Sequence, residues 1–463
     1  MKPDTAYRSA LPHLTWPAFP APMAANKLAL LFQLEQNQWR TPAEIASAQF
    51  DQIRQLVSFA ATSVPHYRQT LGDRFPPERI NADTWHEVPV LSRKTLHEAA
   101  GSLKSDSIPQ AHGKTFPIST SGSTGMVVEV LGTDLTTLFW QVFCLRDHLW
   151  HRRDLREKLC VVRYQRGPAL KGPAGTQAAG WGPATDDVAV TGPSVNYDIL
   201  LGVAHLVERL IADRPGYLLC HPSMVMGLAR HCLAHGISLP GLQEVRTLGE
   251  SPDDALRETC RTAWNVPMVD MYSCQEAGYL ALQCPDHPHY HVQAENVLLE
   301  VVDEHGHACA PGEVGRVLIT CLNNFATPLI RYEIGDFAEV GEPCSCGRGL
   351  PVLKRIMGRY RNLLTLPNGT RLWPRLGYES KLQAIAPIEL MQMIQTSLDE
   401  IQVRLVMARA LDESEIRNLT TFIQGNLGYP FRLRFDYVDS IRNSANGKIE
   451  QFISLIEPVA AIP

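Results

Sequence analysis

Strand and helix signals alternate through the middle of this 463-residue chain, and the alternation predicts an α/β body built on mostly parallel sheets. Two more observations complete the fold class. From about Leu298 the pattern changes to strands and turns, which marks a β-rich subdomain, and the tail from Gly358 to Pro463 reads as a small α+β domain. The expected organisation is a large domain over 1–357, with its β-rich region at about 280–357, and a small C-terminal domain over 358–463. At roughly 100–200 residues per domain, a chain of this length holds two to four.

Composition narrows the function classes. Hydrophobic residues make up 45% and charged residues 20%, as in ordinary globular proteins. Lys+Arg 43 against Asp+Glu 48 gives a net charge of -5, so no basic excess points to nucleic acid. The longest apolar runs, such as 28–34, fall short of the ~20 residues that cross a bilayer. The start, Met1-Lys2-Pro3-Asp4, lacks the basic-then-apolar design of a signal peptide. Eleven cysteines are an odd number and mostly scattered, unlike a secreted disulfide scaffold. The expectation is a cytoplasmic enzyme with neither nucleic acid nor membrane as partner.

The elements follow in order. Residues 1–24 read as an extended, proline-punctuated arm. Thr41-Pro42-Ala43-Glu44 is a capping box with proline at the first helical position. Phe50, Ile53, Val57 and Ala60 then place an apolar stripe at helical spacing, predicting a helix to about Val64-Pro65. A helix after Thr133 carries Phe139, Trp140, Phe143 and Trp150, a stripe whose spacing speaks for core before pocket. Segments 158–163 and 216–220 read as short buried strands, and 198–211 and 224–232 as helices. Segments 244–248, 255–264 and 266–271 continue as strand, helix, strand, and 167–192, rich in Gly, Pro and Ala, as a surface or lid-like loop. Further on, 298–303 and 316–322 are strands either side of a turn at 311–315.

Several loops after these strands carry chemistry, and ligands on parallel sheets gather at the carboxyl ends of strands. In Ser119-Thr120-Ser121-Gly122-Ser123-Thr124-Gly125, small residues let the backbone wrap a phosphate while amides and hydroxyls donate to it. The Gly-x4-Gly-Lys-Ser/Thr pattern is absent and 127–131 reads as a strand, which disfavours a P-loop phosphotransferase. Gly249-Glu250 and Tyr272-Ser273-Cys274-Gln275-Glu276 each follow a strand, and Glu276 has the oxygen ligands that suit Mg²⁺. Gly335-Asp336 puts a carboxylate on a tight turn suited to a ribose diol. Gly358-Arg359-Tyr360-Arg361-Asn362 is a glycine-marked joint, and Lys448 ends a turn near the C-terminus. Taken singly, each also reads as a turn or a solvated charge. His221 follows a strand and is a candidate for an acid pocket, against a satisfied loop histidine.

In this order and spacing the motifs resemble the adenylate-forming superfamily of acyl- and aryl-CoA ligases, most closely its phenylacetate-CoA ligase-like branch, from about residue 55 to the C-terminus. The resemblance implies that Ser121, Gly122, Ser123, Thr124 and Gly125 hold the ATP phosphates, and that Gly249, Glu250, Tyr272 and Ser273 flank adenine. Glu276 would serve Mg²⁺, Asp336 the ribose with Arg359 beside it, and Lys448 would be the catalytic lysine of a mobile small domain. The implied reaction activates a small carboxylic acid, aromatic or otherwise apolar, to an acyl-adenylate and passes it to coenzyme A. A phosphopantetheine thiol on a separate acyl-carrier protein is the alternative acceptor, and a non-catalytic nucleotide-binding relative is a further alternative. The oligomeric state stays open, with a dimer as one option. Two positions depart from the family pattern. Met126-Val127-Val128 stands where the phosphate loop usually continues with Pro-Lys, and Asn362 stands where the hinge usually has aspartate.

A metal site is also implied. Cys284-Pro285-Asp286-His287-Pro288-His289-Tyr290-His291 and Cys344-Ser345-Cys346 supply thiols and imidazoles at short spacing. Three thiolates and one imidazole form a closed tetrahedral structural zinc site. The resemblance to zinc-bearing members of the branch aligns Cys284, His291, Cys344 and Cys346, with His289 as the nearest competitor. The alternative is a histidine cluster beside unrelated reduced cysteines.

Overall fold

The computed structural model describes residues 6–120, 128–165, 172–359, 362–372, 374, 382, 385–441 and 451–456. The N-terminal arm is shorter than expected. It is tied to the body through a bridge between Tyr7 and Ala189, and α1 (Pro22–Asn37) begins within it because Pro22 follows an extended Ala21 and fits the first helical position. Helix α2 (Pro42–Ser63) starts on the expected box: Glu44 N donates to Thr41 Oγ1 and Thr41 N to Glu44 Oε2. It buries Phe50, Ile53, Leu56, Val57 and Ala60, and each fully covered Leu or Ile contributes roughly 1.5–3 kcal/mol. Short helices α3 (Pro65–Thr70) and α4 (Arg93–Glu98) follow. Strands β1 (Thr115–Thr120) and β2 (Val128–Thr133) pair antiparallel across the Ser-Gly loop, so a strand does follow that loop. Thr133 caps α5 (Asp134–Trp150).

The body comprises β3 (Leu159–Arg163), β4 (Thr176–Ala178), β5 (Ser194–Asp198), α6 (Val203–Asp213), β6 (Tyr217–Cys220), α7 (Pro222–His235), β7 (Glu244–Leu248), α8 (Asp254–Trp264) and β8 (Met268–Cys274). The helix expected from residue 198 starts later. Asp198 Oδ1 takes the Leu200 N–H at 3.0 Å in a 3-10 turn, and Gly202, at φ 82°, breaks it before α6. The 167–192 loop is not all loop, since β4 pairs antiparallel with β5 at the sheet edge.

Strands β9 (Gly278–Gln283), β10 (Tyr290–Val292), β11 (Val297–Val302), β12 (Val314–Cys321), β13 (Tyr332–Val340) and β14 (Val352–Arg359) complete a twelve-stranded sheet. Its order is β11-β12-β13-β14-β10-β9-β8-β7-β6-β3-β5-β4. The run β5-β3-β6-β7-β8 is parallel. From β8 onward every neighbour is antiparallel. The β-rich region is therefore continuous with the parallel half, and Glu276 lies in the turn at the seam between β8 and β9. Small strands β15 (Leu364–Thr365) and β16 (Arg371–Leu372) pair with each other. The C-terminal part has β17 (Ile388–Ser397), β18 (Glu400–Met407), α9 (Glu413–Leu427), β19 (Arg432–Tyr437) and β20 (Phe452–Ser454), in a separate sheet of order β19-β18-β17-β20. It has its own core, including Ile401, Val403, Leu405, Leu419 and Phe431. No described helix is long and apolar enough to cross a membrane.

Candidate active site and metal centre

A cavity of about 2320 Å³ opens at the carboxyl ends of β6, β7 and β8 and runs past β13 and β14. Gly249, Glu250, Tyr272, Ser273, Glu276, Asp336, Arg359 and His221 all line it. Asp336 and Arg359 face each other across the β13–β14 ladder, with Arg359 Nε 3.5 Å from Asp336 Oδ1. Tyr272 OH donates to Asp336 Oδ2 at 2.8 Å. Burial first, then the adjacent Asp336, pushes the Tyr272 phenol well up, so it remains a donor. The arrangement leaves a carboxylate, steadied on two sides, at the wall of the cleft.

Glu250 does more than line the cavity. Ser223 N and Oγ donate to its two oxygens at 2.8 and 3.0 Å, so it caps the start of α7. Buried His221 bonds through Nδ1 to the Leu248 carbonyl at 2.9 Å, which ties the end of β6 to the end of β7. Ser121, Gly122, Ser123, Thr124, Gly125 and Lys448 lie outside the described residues.

Arg93 escaped the sequence reading. Its Nη1 donates to Glu276 Oε1 at 3.3 Å and Tyr332 OH at 3.1 Å, and its Nη2 donates to Thr120 Oγ1 at 2.9 Å. A guanidinium thus bridges the seam carboxylate and the base of the Ser-Gly loop, a loop without lysine or arginine. That missing cation was the one available hint. At the joint, Asn362 Oδ1 accepts from Arg359 N at 3.0 Å while its Nδ2 donates to the Phe452 carbonyl at 2.6 Å. The amide therefore clasps the end of β14 to β20.

Behind the cavity wall at Arg246 and His148 lies a buried ion network. Asp147 Oδ2 accepts from Arg153 Nη1 at 2.6 Å and Arg246 Nη2 at 2.7 Å, and Arg153 Nε donates to Glu244 Oε1 at 2.6 Å. Burial alone would raise the Asp147 carboxyl, but the two guanidinium groups hold it far below the usual range. The same burial, helped by those cations, drives His148 well down, so it is neutral.

The metal donors converge at the other end of the antiparallel strands. Ligand atoms of Cys284, His289, His291 and Cys344 all lie within 4.8 Å of one another. Cys284 Sγ is 3.9 Å from Cys344 Sγ, and Cys346 Sγ is 3.4 Å from His291 Nε2. With Zn–S of about 2.3 Å and Zn–N of about 2.0–2.1 Å, a tetrahedron has S–S edges of about 3.8 Å and S–N edges of about 3.6 Å. The donor set fits. His291 Nδ1 and His289 Nε2 are buried without hydrogen-bond partners among the described residues. Burial lowers His291 to about 3, the neutral state a ligand needs, and raises Cys344 to about 12. Burial also works against the Cys346 thiolate, but hydrogen bonds from Arg348 hold that thiol below its ordinary value. The group within 4.8 Å thus holds three of the four expected donors with His289 in place of Cys346, which approaches His291, while Ser345 Oγ pairs with His287 Nε2 at 2.9 Å. Gly349 packs against the α1–α2 connection so closely that a Cβ would sit 1.8 Å from the Arg40 carbonyl oxygen.

This is the fold of the acyl- and aryl-CoA ligases of the adenylate-forming superfamily. The chain superposes on a 2-hydroxyisobutyryl-CoA ligase, solved in the postadenylation state in complex with R3-HIB-AMP, with a TM-score of 0.70 over 91% of each chain at 17% identity. Residues 380–454 match the CapK C-terminal domain family. A phenylacetate-coenzyme A ligase of Thermus thermophilus is 30% identical over 181 residues, covering 37% of this chain and 40% of that one. Protein CapK of Staphylococcus aureus is 22% identical over 249 residues, covering 53% and 54%. The chain therefore spans about half or less of the length of these curated relatives.

Proposed function

We propose that the protein activates a carboxylic acid with ATP to an acyl-adenylate and transfers the acyl group to the thiol of coenzyme A, in the manner of the phenylacetate-CoA ligase-like branch. The observation that carries this reading is the meeting of Tyr272, Asp336, Arg359, Glu276 and His221 in one cleft at the strand ends of this fold. Asp336 takes the ribose hydroxyls, with Arg359 and Tyr272 holding its oxygens. Gly249, Glu250 and Ser273 border the base, and the Ser121–Gly125 loop meets the phosphates. The acid's carboxylate attacks the α-phosphate, a P–O bond forms, and pyrophosphate leaves. Two anions are brought together in that step, so it needs preorganised positive charge. Glu276 holds Mg²⁺, which when bound neutralises phosphate charge; Arg93 and Lys448 supply charge from the protein. The thiol then attacks the acyl carbon and AMP leaves. Between the steps a small domain, 358–463, turns against the 1–357 body at the Gly358–Asn362 joint and withdraws Lys448. One structural zinc is held by Cys284, His291, Cys344 and Cys346. Its chemistry is cross-linking of strands, with no open position for substrate. The use of ATP and CoA suits a cytoplasmic setting.

The test is carboxylate-dependent exchange of labelled pyrophosphate into ATP across a panel of aryl, arylacetic and fatty acids. Exchange followed by a CoA thioester is the expected result. Exchange without a thioester would transfer the acceptor role to a carrier-protein phosphopantetheine, and no exchange with any acid would leave a nucleotide-binding relative. Lys448→Ala should abolish exchange while only mildly slowing thioester formation from a supplied acyl-adenylate.

A further inference from the structure

The cavity continues inward from His221 along one face of β7. Residues two apart on a strand share a face. Leu248, whose carbonyl holds His221, and Arg246 therefore look into the same cavity, and both line it. Arg246 lies two residues deeper, roughly 6.6 Å along the strand, about the reach of one aromatic ring with a substituent opposite its carboxylate. The walls suit a ring. Trp140 and Tyr279 have centroids 6.2 Å apart, and Trp181 meets His148 edge-on at 5.2 Å, its indole N–H fixed on the Glu157 carbonyl at 2.8 Å.

The inner end of this slot is polar in a specific way. Arg246 is 2% exposed, and its Nε is buried with no hydrogen-bond partner among the described residues. His148 Nδ1 lies 3.5 Å from Arg153 Nη1. A guanidinium has only donors, so Nδ1 must accept and the imidazole proton sits on Nε2. That Nε2 is 3.7 Å from Cys144 Sγ, a weak acceptor at the cavity wall. Arg246 and His148 thus sit in the wall at the end of the slot, each with an N–H whose hydrogen bonding the protein does not fill well. The charges there already balance: Arg153 and Arg246 face Asp147 and Glu244. A wholly apolar tail would leave the Arg246 Nε–H unpaired, and an anionic tail would add an uncompensated buried charge.

We infer that the acid activated here carries a neutral hydrogen-bond acceptor, a hydroxyl, carbonyl or amide oxygen, about one aromatic ring away from its carboxylate, and that Arg246 and His148 receive it. This rests on the adenylation reading above and names its substrate class. A slot built to bond a polar group rejects the analogue that lacks it far more strongly than an apolar slot rejects a missing methylene.

The experiment measures pyrophosphate exchange by the full chain with matched acids: benzoate, 4-hydroxybenzoate and terephthalate, and phenylacetate against 4-hydroxyphenylacetate. The hydroxylated member of at least one set should exceed its unsubstituted partner in kcat/KM by on the order of 10-fold or more, and terephthalate should rank below both benzoates. His148→Phe should bring the hydroxyl-to-unsubstituted ratio back toward one. Exchange with no hydroxyl preference in either set, or with terephthalate preferred, would overturn the inference and leave adenylation standing. A preference that survives His148→Phe unchanged would overturn the assignment of His148. Absence of exchange with these five acids would overturn this inference, and absence across the wider panel, fatty acids included, would remove the adenylation reading as well.

Discussion

Replacing Arg93 tests whether a guanidinium from outside the phosphate loop does the work of the lysine the loop lacks. Arg93→Met keeps the length and apolar stem and removes the charge. Its side chain is 13% exposed and that of Glu276 6%, so solvent screens the site weakly. At the 3.3 Å between Arg93 Nη1 and Glu276 Oε1, an effective dielectric near 20 gives a gross attraction of about 5 kcal/mol. A phosphate brought to the same group gains an attraction of the same order, part of which is spent in desolvation. Loss of one preorganised donor at a reacting oxyanion costs about 10²–10³ in rate. Acid-dependent pyrophosphate exchange should fall by that factor. Thioester formation from a supplied acyl-adenylate, which has no β- or γ-phosphate, should change by about 3-fold or less. Arg93→Lys should recover part of the exchange because it restores charge without the fork. The Met variant also leaves Glu276 without that cation, so its urea midpoint must be measured alongside. An equal loss in both half-reactions would mean that Arg93 acts through folding, and full exchange by Arg93→Met would sink the phosphate role altogether.

Three further outcomes follow from the geometry. Purified protein should hold about one zinc per chain, and Cys284→Ser should lose it together with several degrees of melting temperature; zinc-free protein with an unchanged melt in the variant would dismiss the site. Asp270, fully buried, is pushed up to about 7 by burial, with Thr247 and Tyr290 donating to it and pulling the other way. Between about pH 4 and 7 the folded state keeps a proton that the unfolded state has lost, so this group's contribution falls by up to about 4 kcal/mol as pH rises through that window and is flat above it. The urea midpoint of wild type relative to Asp270→Asn should decline across that range, and a parallel pair of pH profiles would refute the assignment. At the joint, Asn362→Asp replaces a donor to the Phe452 carbonyl by a carboxylate oxygen, costing the clasp about 1–3 kcal/mol. Single-turnover rates should then show adenylation slowed relative to thioester formation, whereas equal rates in both steps would show that the clasp does not set the domain orientation.

What could be read from the sequence was what repeats or resembles locally. The Thr41–Glu44 box starts a helix because both of its bonds close within one turn, and the strand at Glu244–Leu248 was legible from its place in the alternation of strands and helices. The residues proposed for the nucleotide came from the order of motifs. Their contacts depend on pairing of β13 with β14, which carries Arg359 to Asp336. What stayed hidden is nonlocal. Arg93 is 183 residues from Glu276, and Arg246 is 99 from Asp147; neither spacing leaves a periodic trace. Gly202 was the missed break, because a helix-forming pattern on both sides masked a residue at φ 82°. His289 fell inside the donor cluster because β10 begins one residue later and turns the His-rich segment back onto β9.

The continuity of the sheet gives the Cys/His cluster and the cleft a common frame. Strand β9 starts just after Glu276 and ends just before Cys284. His291, on β10, lies between Leu282 of β9 and Val352 of β14, and β14 then runs from Val352 to Arg359, opposite Asp336. Candidate metal donors thus flank one end of β9 and sit on β10, which pairs with the start of β14, while the other ends of β9 and β14 reach Glu276 and Arg359 at the cleft. A zinc bound by Cys284, His291, Cys344 and Cys346 would hold the ends of β9, β10 and β14 at fixed separation. A zinc there would defend the register that sets Arg359 against Asp336 from a distance, away from the reacting atoms. A closed coordination sphere suits that task, because an open position would invite substrate to compete for the ion that holds the strands.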